Sequence, residues 1–81
     1  MYQKSEYDVR LIDPHGRIVI TEVKGNLASE STLRQLKCCM KSAQKTEKKP
    51  VRGMIVCKES SDKLNSLARK EQHIEVLTME Q

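Results

Sequence analysis

The chain has 81 residues, with 15 Lys or Arg against 11 Asp or Glu, and its formal net charge is +4 at pH 7. This length suits one small domain. The sequence has no run of 18 apolar residues and no signal-peptide pattern, which argues against a membrane segment and against export. Its three cysteines have neither framework nor zinc-ligand spacing. We therefore expect a soluble, intracellular, cytoplasmic protein without membrane association.

The first predicted element is a β-hairpin with strands over residues 6–12 and 17–24. The segment Asp13–Gly16 between them has the residue types of a type I turn followed by a left-handed Gly. These types favour a three-residue loop, which pairs Asp13 with Arg17. The second strand is apolar and β-branched on both faces, and we expect it to lie centrally in a sheet that is covered on both sides.

The loop length decides which side chains of the hairpin share a face. Antiparallel partners keep a constant sum of residue numbers, so a three-residue loop sets Asp8 opposite Glu22. Lys24 then lies on the same face, two residues beyond Glu22. A two-residue loop would move Asp8 to the other face. The turn chemistry therefore predicts a patch of two carboxylates and one ammonium group.

The rest of the chain alternates helices and strands. Gly25 and Asn26 are expected to break the second strand. A helix capped by Ser29 or Ser31 then runs to about residue 46, a strand covers 51–57, a second helix ends near residue 70, and a last strand covers 74–79. The order β-β-α-β-α-β predicts an α/β domain with a four-stranded mixed sheet, in which right-handed crossovers follow an antiparallel hairpin.

Positive charge is concentrated in the middle of the chain, where residues 29–58 carry eight basic and two acidic side chains. One face of the predicted first helix repeats cations at steps of three and four residues. We call this face the basic ridge, and its members are Arg34, Lys37, Lys41, Lys45 and Lys48. The ridge is a candidate surface for a polyanion such as nucleic acid, and a solvated helix face is the plain alternative.

The patch of Asp8, Glu22 and Lys24 has the oxygen donors that a hard divalent cation prefers. Two carboxylates at one level suit Mg²⁺, and the backbone carbonyl of Val23 could be a third protein ligand. Lys24 would lie beside the metal, where it could help to deprotonate a water and stabilise charge on a phosphate. These parts fit metal-assisted phosphodiester hydrolysis. The alternative is a cross-strand salt-bridge group on an exposed sheet face.

These residues resemble the PD-(D/E)xK nuclease superfamily, in which a hairpin supplies an Asp and a (D/E)xK triplet. The match consists of Asp8, a turn, and an apolar strand that ends in Glu22-Val23-Lys24. A capped helix with Gln35 in its early turns follows. The branch most similar to this pattern is the C-terminal nuclease domain of the NucS-type mismatch endonucleases, with the same Asp-to-Glu spacing and a helix Gln. The resemblance covers about residues 6–79 and implies a minimal restriction-endonuclease-like core.

The same resemblance implies an endodeoxyribonuclease that needs Mg²⁺ or Mn²⁺ and acts on DNA. Asp8 and Glu22 would be its metal ligands, Lys24 its catalytic lysine, and Gln35 a residue that supports the site. A catalytically inactive nuclease-fold module that binds nucleic acid or a partner chain is the alternative function.

The chain also departs from the family pattern. Members usually begin with a helix and a further strand, whereas only residues 1–5 precede the hairpin here. Glu6 faces Lys24 by register and could partly replace the Glu that this helix often donates. We expect residues 1–81 to form a single nuclease-like domain, either a minimal version or a fragment. Its exposed sheet edge should recruit a second copy, giving a homodimer, or the remainder of a larger chain or complex.

Overall fold

The computed structural model describes residues 6–79, with the side chains of residues 9–79. The elements in chain order are β1 (Glu6–Ile12), β2 (Ile18–Ala28), α1 (Glu30–Glu47), β3 (Val51–Ser60), α2 (Asp62–Ala68) and β4 (Ile74–Thr78). The strands form one sheet in the order β1-β2-β3-β4. β1 is antiparallel to β2, whereas β2, β3 and β4 run parallel. The predicted α/β fold with a four-stranded mixed sheet is confirmed.

The loop between β1 and β2 has the three residues that the turn chemistry predicts. The Asp13 N–H donates to the Arg17 carbonyl at 2.9 Å, and the Gly16 N–H donates to the Asp13 carbonyl at 2.9 Å. Gly16 has a φ of +80°, in the left-handed region that glycine adopts without steric strain. The Asp13 carboxylate also accepts the N–H groups of His15 and Arg17, each at 2.9 Å. These contacts fix the register of the hairpin.

β2 is longer than the sequence predicts. Gly25 and Asn26 do not break the strand, which continues to Ala28. The parallel register with β3 shifts at this point, so the glycine is accommodated as an irregularity inside the strand. Ala28 is fully buried, and its carbonyl accepts the Ser61 N–H at 3.0 Å. This tertiary contact explains why β2 continues beyond Gly25 and Asn26, although these residues usually end a strand.

Both helices pack on the same face of the sheet. Gly53 of β3 is so close to α1 that a Cβ there would lie 2.5 Å from Met40 Sδ and 3.0 Å from Leu36 Cδ2. Leu64 of α2 is fully buried in the same apolar cluster. The connections from β2 to β3 and from β3 to β4 advance in one direction along the sheet, and connections of one hand then place both helices on the same face. The buried cluster consists of Ile18, Ile20, Ala28, Leu33, Leu36, Ala43, Val51, Ile55, Cys57 and Leu64.

The opposite side of the sheet, which we call the open face, has no helix on it within residues 6–79. β2 and β3 are central strands, as predicted, but most of their side chains on the open face are only half-buried. The prediction that both faces are covered is therefore wrong for the described residues. β-branched residues suit any pleated, half-buried surface, so their presence on two faces does not require two covering layers. Partly buried or exposed members of this face are Val19, Val23, Arg52, Met54, Val56, Glu75 and Leu77.

The helix ends follow their capping signals. At the start of α1, the Ser29 N–H donates to Thr32 Oγ1 at 3.1 Å. At its end, Lys48 adopts a left-handed φ of 56° and its N–H donates to the Gln44 carbonyl at 3.1 Å. α2 stops at Ala68, earlier than predicted. Neither α1 nor α2, the helices of the described region, has the length and hydropathy to cross a membrane.

Candidate active site

The hairpin brings Asp8 of β1 opposite Glu22 of β2 in the antiparallel ladder, as predicted. Glu22 alternates with the buried residues Ile18 and Ile20, so it lies on the helix-covered face. Lys24 is the next residue on this face and pairs with Cys57 of β3. The backbone register therefore unites the three predicted positions on one face. The Asp8 side chain itself lies outside the described side chains.

Glu22 is almost completely buried. Its side chain is 1% exposed, and its neighbour across β3 is the fully buried Ile55. Lys24 is half-buried. Glutamate is rarely buried to this degree unless a cation or strong hydrogen bonds compensate for the lost hydration. Glu22 thus does not lie on an exposed sheet face, and its burial favours a specialised carboxylate over a surface ion pair.

The donor atoms available at this position are oxygens. Glu22 contributes a carboxylate, and the adjacent Val23 contributes a backbone carbonyl. Among the residues whose side chains are described, no three His, Cys, Asp or Glu residues gather into a metal-binding group. A metal site here would therefore combine Glu22 with Asp8 and with water. That composition fits Mg²⁺, which takes oxygen ligands and retains several waters.

A groove of about 330 Å³ lies beside the Asp8–Glu22 pair, between β1 and α1. Its sheet side includes Arg10 and Ile20, which face each other two positions along the ladder from Asp8 and Glu22. The groove therefore leads directly to the candidate site. Its complete lining is Val9, Arg10, Ile20, Cys39, Ser42, Ala43 and Thr46.

Gln35 lies on the side of α1 that borders this groove. It precedes Cys39 by four residues and Ser42 by seven, and residues at these spacings share one side of a helix. Gln35 is exposed and lies in the N-terminal part of α1, which follows the end of β2. Gln35 is not among the residues that line the groove, so its role at the candidate site stays a prediction.

The basic ridge occupies a different side of α1. Lys37 donates to Glu71 Oε2 at 2.7 Å, and Lys37 and Lys41 border a small pocket together with His73 and Ile74. These contacts direct this part of the ridge towards β4 and away from β1. All five ridge cations are exposed, as predicted. These contacts separate Lys37 and Lys41 from the groove, and no member of the ridge lines it.

The ridge cations differ in their contacts. Two of them form ion pairs: Arg34 donates to Glu30 Oε2 at 3.3 Å, and Lys37 pairs with Glu71. The other three have no ion pair with any described side chain, and they are Lys41, Lys45 and Lys48. These three are the ridge positions at which a phosphate would displace no carboxylate.

The sequence does not single out Arg10 and Glu47, which form an ion pair at the side of the groove. For Arg10 a signal exists, because it shares the alternation of Asp8 and would therefore share its face. Glu47 carries no comparable signal. Its partner depends on where α1 ends and on how the helix packs across the sheet.

Cys57 is a core residue despite its position beside Lys24. It is fully buried, and burial raises the pKa of its thiol. Its Sγ lies 3.7 Å from the Leu77 carbonyl, to which the thiol donates. A buried thiol of raised pKa is a poor nucleophile, so the site chemistry does not involve it.

Solved structures of repair endonucleases resemble this chain. A repair endonuclease from Pyrococcus abyssi matches 88% of this chain at a TM-score of 0.78 and 27% identity, over 31% of its own chain. EndoMS in its apo form matches 91% of this chain at a TM-score of 0.81 and 28% identity, over 32% of its own chain. EndoMS in a complex with double-stranded DNA matches 84% of this chain at a TM-score of 0.73 and 29% identity, over 28% of its own chain. No family model and no curated protein matches the chain.

These relatives are much longer than the chain, which spans about a third of their length. Sequence identity is low, whereas the agreement of the folds is close. The resemblance to the NucS-type branch, inferred from the hairpin and the helix Gln, is confirmed. Over most of its length, the chain resembles a nuclease domain of the EndoMS/NucS-type repair endonucleases.

Proposed function

We propose that this domain is a metal-dependent endonuclease that hydrolyses phosphodiester bonds of DNA. The observation that carries the proposal is the pairing of Asp8 with Glu22, with Lys24 next on the same face. The similarity to repair endonucleases supports nuclease activity. The solved complex of EndoMS with double-stranded DNA supports DNA as the substrate.

Each residue of the site would have a distinct role. Asp8 and Glu22 would hold Mg²⁺ or Mn²⁺ together with the backbone carbonyl of Val23. Such an ion would act as a Lewis acid and lower the pKa of a bound water. Lys24 would assist the attacking water and offset negative charge on the phosphate oxygens. Gln35 would support the site from the groove side of α1.

The basic ridge would bind the phosphate backbone of the DNA. Its cations are exposed; four lie on α1 and Lys48 is the C-cap of that helix. Contacts of this type give affinity that falls with salt and little reading of sequence. The ridge would therefore hold the duplex, while the chemistry occurs on the other side of the helix.

The sheet edges support association with another chain. β1 and β4 are the outer strands of the described sheet, and unpaired outer strands recruit further strands. Exposed apolar side chains accompany both edges, namely Leu11, Ile12, Leu77 and Met79. The proposal therefore includes an intracellular homodimer, or assembly with the remainder of a larger chain or complex. A monomeric mass in light scattering at all concentrations would contradict the homodimer.

A nicking assay tests the enzymatic proposal. Supercoiled plasmid and mismatched or branched duplexes are incubated with Mg²⁺ or Mn²⁺ and with wild type, Asp8→Ala or Lys24→Ala. We expect each substitution to reduce the nicking rate by about 100-fold or more. Glu75→Ala and Lys58→Ala are matched controls, since both residues are exposed and lie on the opposite face of the sheet. They should nick like wild type.

Two outcomes would overturn the proposed activity. Absence of nicking on every substrate is one, and nicking that survives both Asp8→Ala and Lys24→Ala is the other. DNA binding without nicking would instead identify an inactive nuclease-fold module.

A further inference from the structure

We propose that Arg10 is a positioning residue that pairs with a phosphate of the DNA strand lying in the groove between β1 and α1. In the free protein the same guanidinium is held by Glu47, which the phosphate would displace. This inference rests on the proposed function, because the groove leads to the Asp8–Glu22 pair.

Arg10 has the position that such a role requires. It lies two residues from Asp8 on the same strand and face, a step of about 7 Å along β1. Its partner across the ladder is Ile20, which also lines the groove. A DNA strand that follows the groove, with its reacting phosphate at Asp8 and Glu22, would therefore run past Arg10.

Of the seven described residues that line the groove, three have polar side chains that a phosphate backbone could contact, and the other four are apolar. Arg10 is the one charged side chain among the described residues that line it. Ser42 and Thr46 add hydroxyl groups, which commonly contact phosphate and sugar oxygens. The Thr46 hydroxyl donates its proton to the Ser42 carbonyl at 3.1 Å, so the Ser42 hydroxyl is the one whose proton is available to a phosphate oxygen. With a volume of about 330 Å³, the groove takes a short stretch of one strand and not a whole duplex.

The pair of Arg10 with Glu47 is suited to exchange. The side chain of Arg10 is 50% exposed and that of Glu47 is 30% exposed, so both remain accessible to solvent. Exposed ion pairs contribute little to stability, and a phosphate can replace the carboxylate without burying a bare charge. The planar guanidinium also binds phosphate through two parallel hydrogen bonds, which fixes orientation as well as distance.

No member of the basic ridge lines the groove. Lys37 contacts Glu71, and Lys41 borders the pocket near His73, both on the side of the helix that faces β4. The groove side of the helix presents Cys39, Ser42 and Thr46 instead. Arg10 is therefore the cation that a strand inside the groove would meet.

Binding measurements without metal test the inference independently of cleavage. The full chain and its variants are titrated against a fluorescent duplex in EDTA at several salt concentrations. We expect Arg10→Gln to weaken binding several-fold and to reduce the slope of log K against log salt by about 1. Arg10→Lys should restore the slope but not the full affinity. Arg17→Gln removes an arginine that pairs with Asp13 outside the groove, and it should change neither quantity.

Glu47→Gln supplies the decisive comparison. It should tighten binding in the wild-type background and have no effect in the Arg10→Gln background. Equal effects of Arg10→Gln and Arg17→Gln would overturn the inference, and so would a Glu47→Gln effect that is the same in both backgrounds. Parallel losses of melting temperature and affinity in Arg10→Gln and Glu47→Gln would also overturn it, since they indicate a purely structural pair.

The cleavage assay separates this inference from the proposed function. Absence of nicking by wild type would remove the nuclease proposal, whatever the binding data give. Nicking by wild type together with unchanged KM, salt slope and affinity in Arg10→Gln would remove the role of Arg10 alone.

Discussion

Asp8 lies directly opposite Glu22 across the ladder between β1 and β2. The pairing depends on a turn at the far end of the hairpin, because a register shift of one residue would transfer every β1 side chain to the other face. The same register sets Arg10 opposite Ile20 and so brings it into the groove. The candidate site is thus a consequence of local turn chemistry.

Substitution of Gly16 tests this dependence. Gly16 has a φ of +80°, and a Cβ there would meet no atom within 4 Å. Gly16→Ala should therefore lower the free energy of unfolding by about 1 to 2 kcal/mol through backbone strain alone. Gly16→Asn should lose less, since Asn tolerates the left-handed region. Urea unfolding measures both, and equal losses for Ala and Asn would contradict the explanation.

The Asp13 carboxylate predicts a pH dependence of stability. Hydrogen bonding by the Arg17 N–H, with a further contribution from the His15 N–H, lowers the pKa of Asp13 below its ordinary 3.8. A carboxyl whose pKa is lower in the folded state stabilises the fold above its unfolded pKa, and this contribution disappears as pH falls through the folded pKa. Asp13→Asn should therefore melt below wild type at neutral pH, and the gap should close under acidic conditions. A gap that is constant with pH would exclude the charge as its cause.

The parts of the fold that the sequence predicts are those that depend on neighbouring residues. The types of Asp13 and Gly16 suffice for the loop, and from the loop follow the register and the pairing of Asp8 with Glu22. The capping residue of α1, Ser29, is equally local. Because the core positions repeat at the period of their helix or strand, the element order could also be predicted without tertiary information.

The missed parts depend on contacts between distant segments. β2 continues past Gly25 and Asn26 because Ala28 is buried and accepts a hydrogen bond from Ser61. The pair of Arg10 with Glu47 joins β1 to the end of α1. No pattern within a single segment encodes a contact between distant segments. Neither the extension of β2 nor the ion pair of Arg10 with Glu47 could therefore be predicted from the sequence.

Close packing between α1 and β3 gives a further prediction. A Cβ on Gly53 would lie 2.5 Å from Met40 Sδ, the flexible part of that side chain. Gly53→Ala should lower the free energy of unfolding by about 1 to 3 kcal/mol, as overpacking does. Combined with Met40→Ala, it should cost less than the sum of the single changes, because the second change removes the clashing atom. Strict additivity in urea unfolding would show that Met40 is not the obstacle.

The basic ridge predicts salt-dependent DNA binding. Lys41 and Lys45 are the best positions to test, because neither has an ion pair with a described side chain. Lys41→Glu with Lys45→Glu should weaken binding and lower the salt slope by about 2, one for each lost phosphate contact. Lys58→Glu with Arg69→Glu makes the same change in net charge at exposed positions outside the ridge. If both double variants bind equally weakly, net charge and not the ridge explains the affinity.

Glu22 offers a test of metal binding that does not depend on catalysis. If Glu22 is a metal ligand, saturating Mn²⁺ or Mg²⁺ should raise the melting temperature of wild type, since an ion at 100 times its Kd stabilises a fold by about 2.7 kcal/mol. Glu22→Gln keeps the shape of this side chain, which is 1% exposed, but removes the charge that holds the ion. It should abolish the metal-induced shift, whereas Glu75→Gln, at an exposed position of β4, should retain it. The competing explanation, a buried ion pair, predicts that Glu22→Gln loses about 3 to 5 kcal/mol of stability without metal and that wild type shows no metal-induced shift.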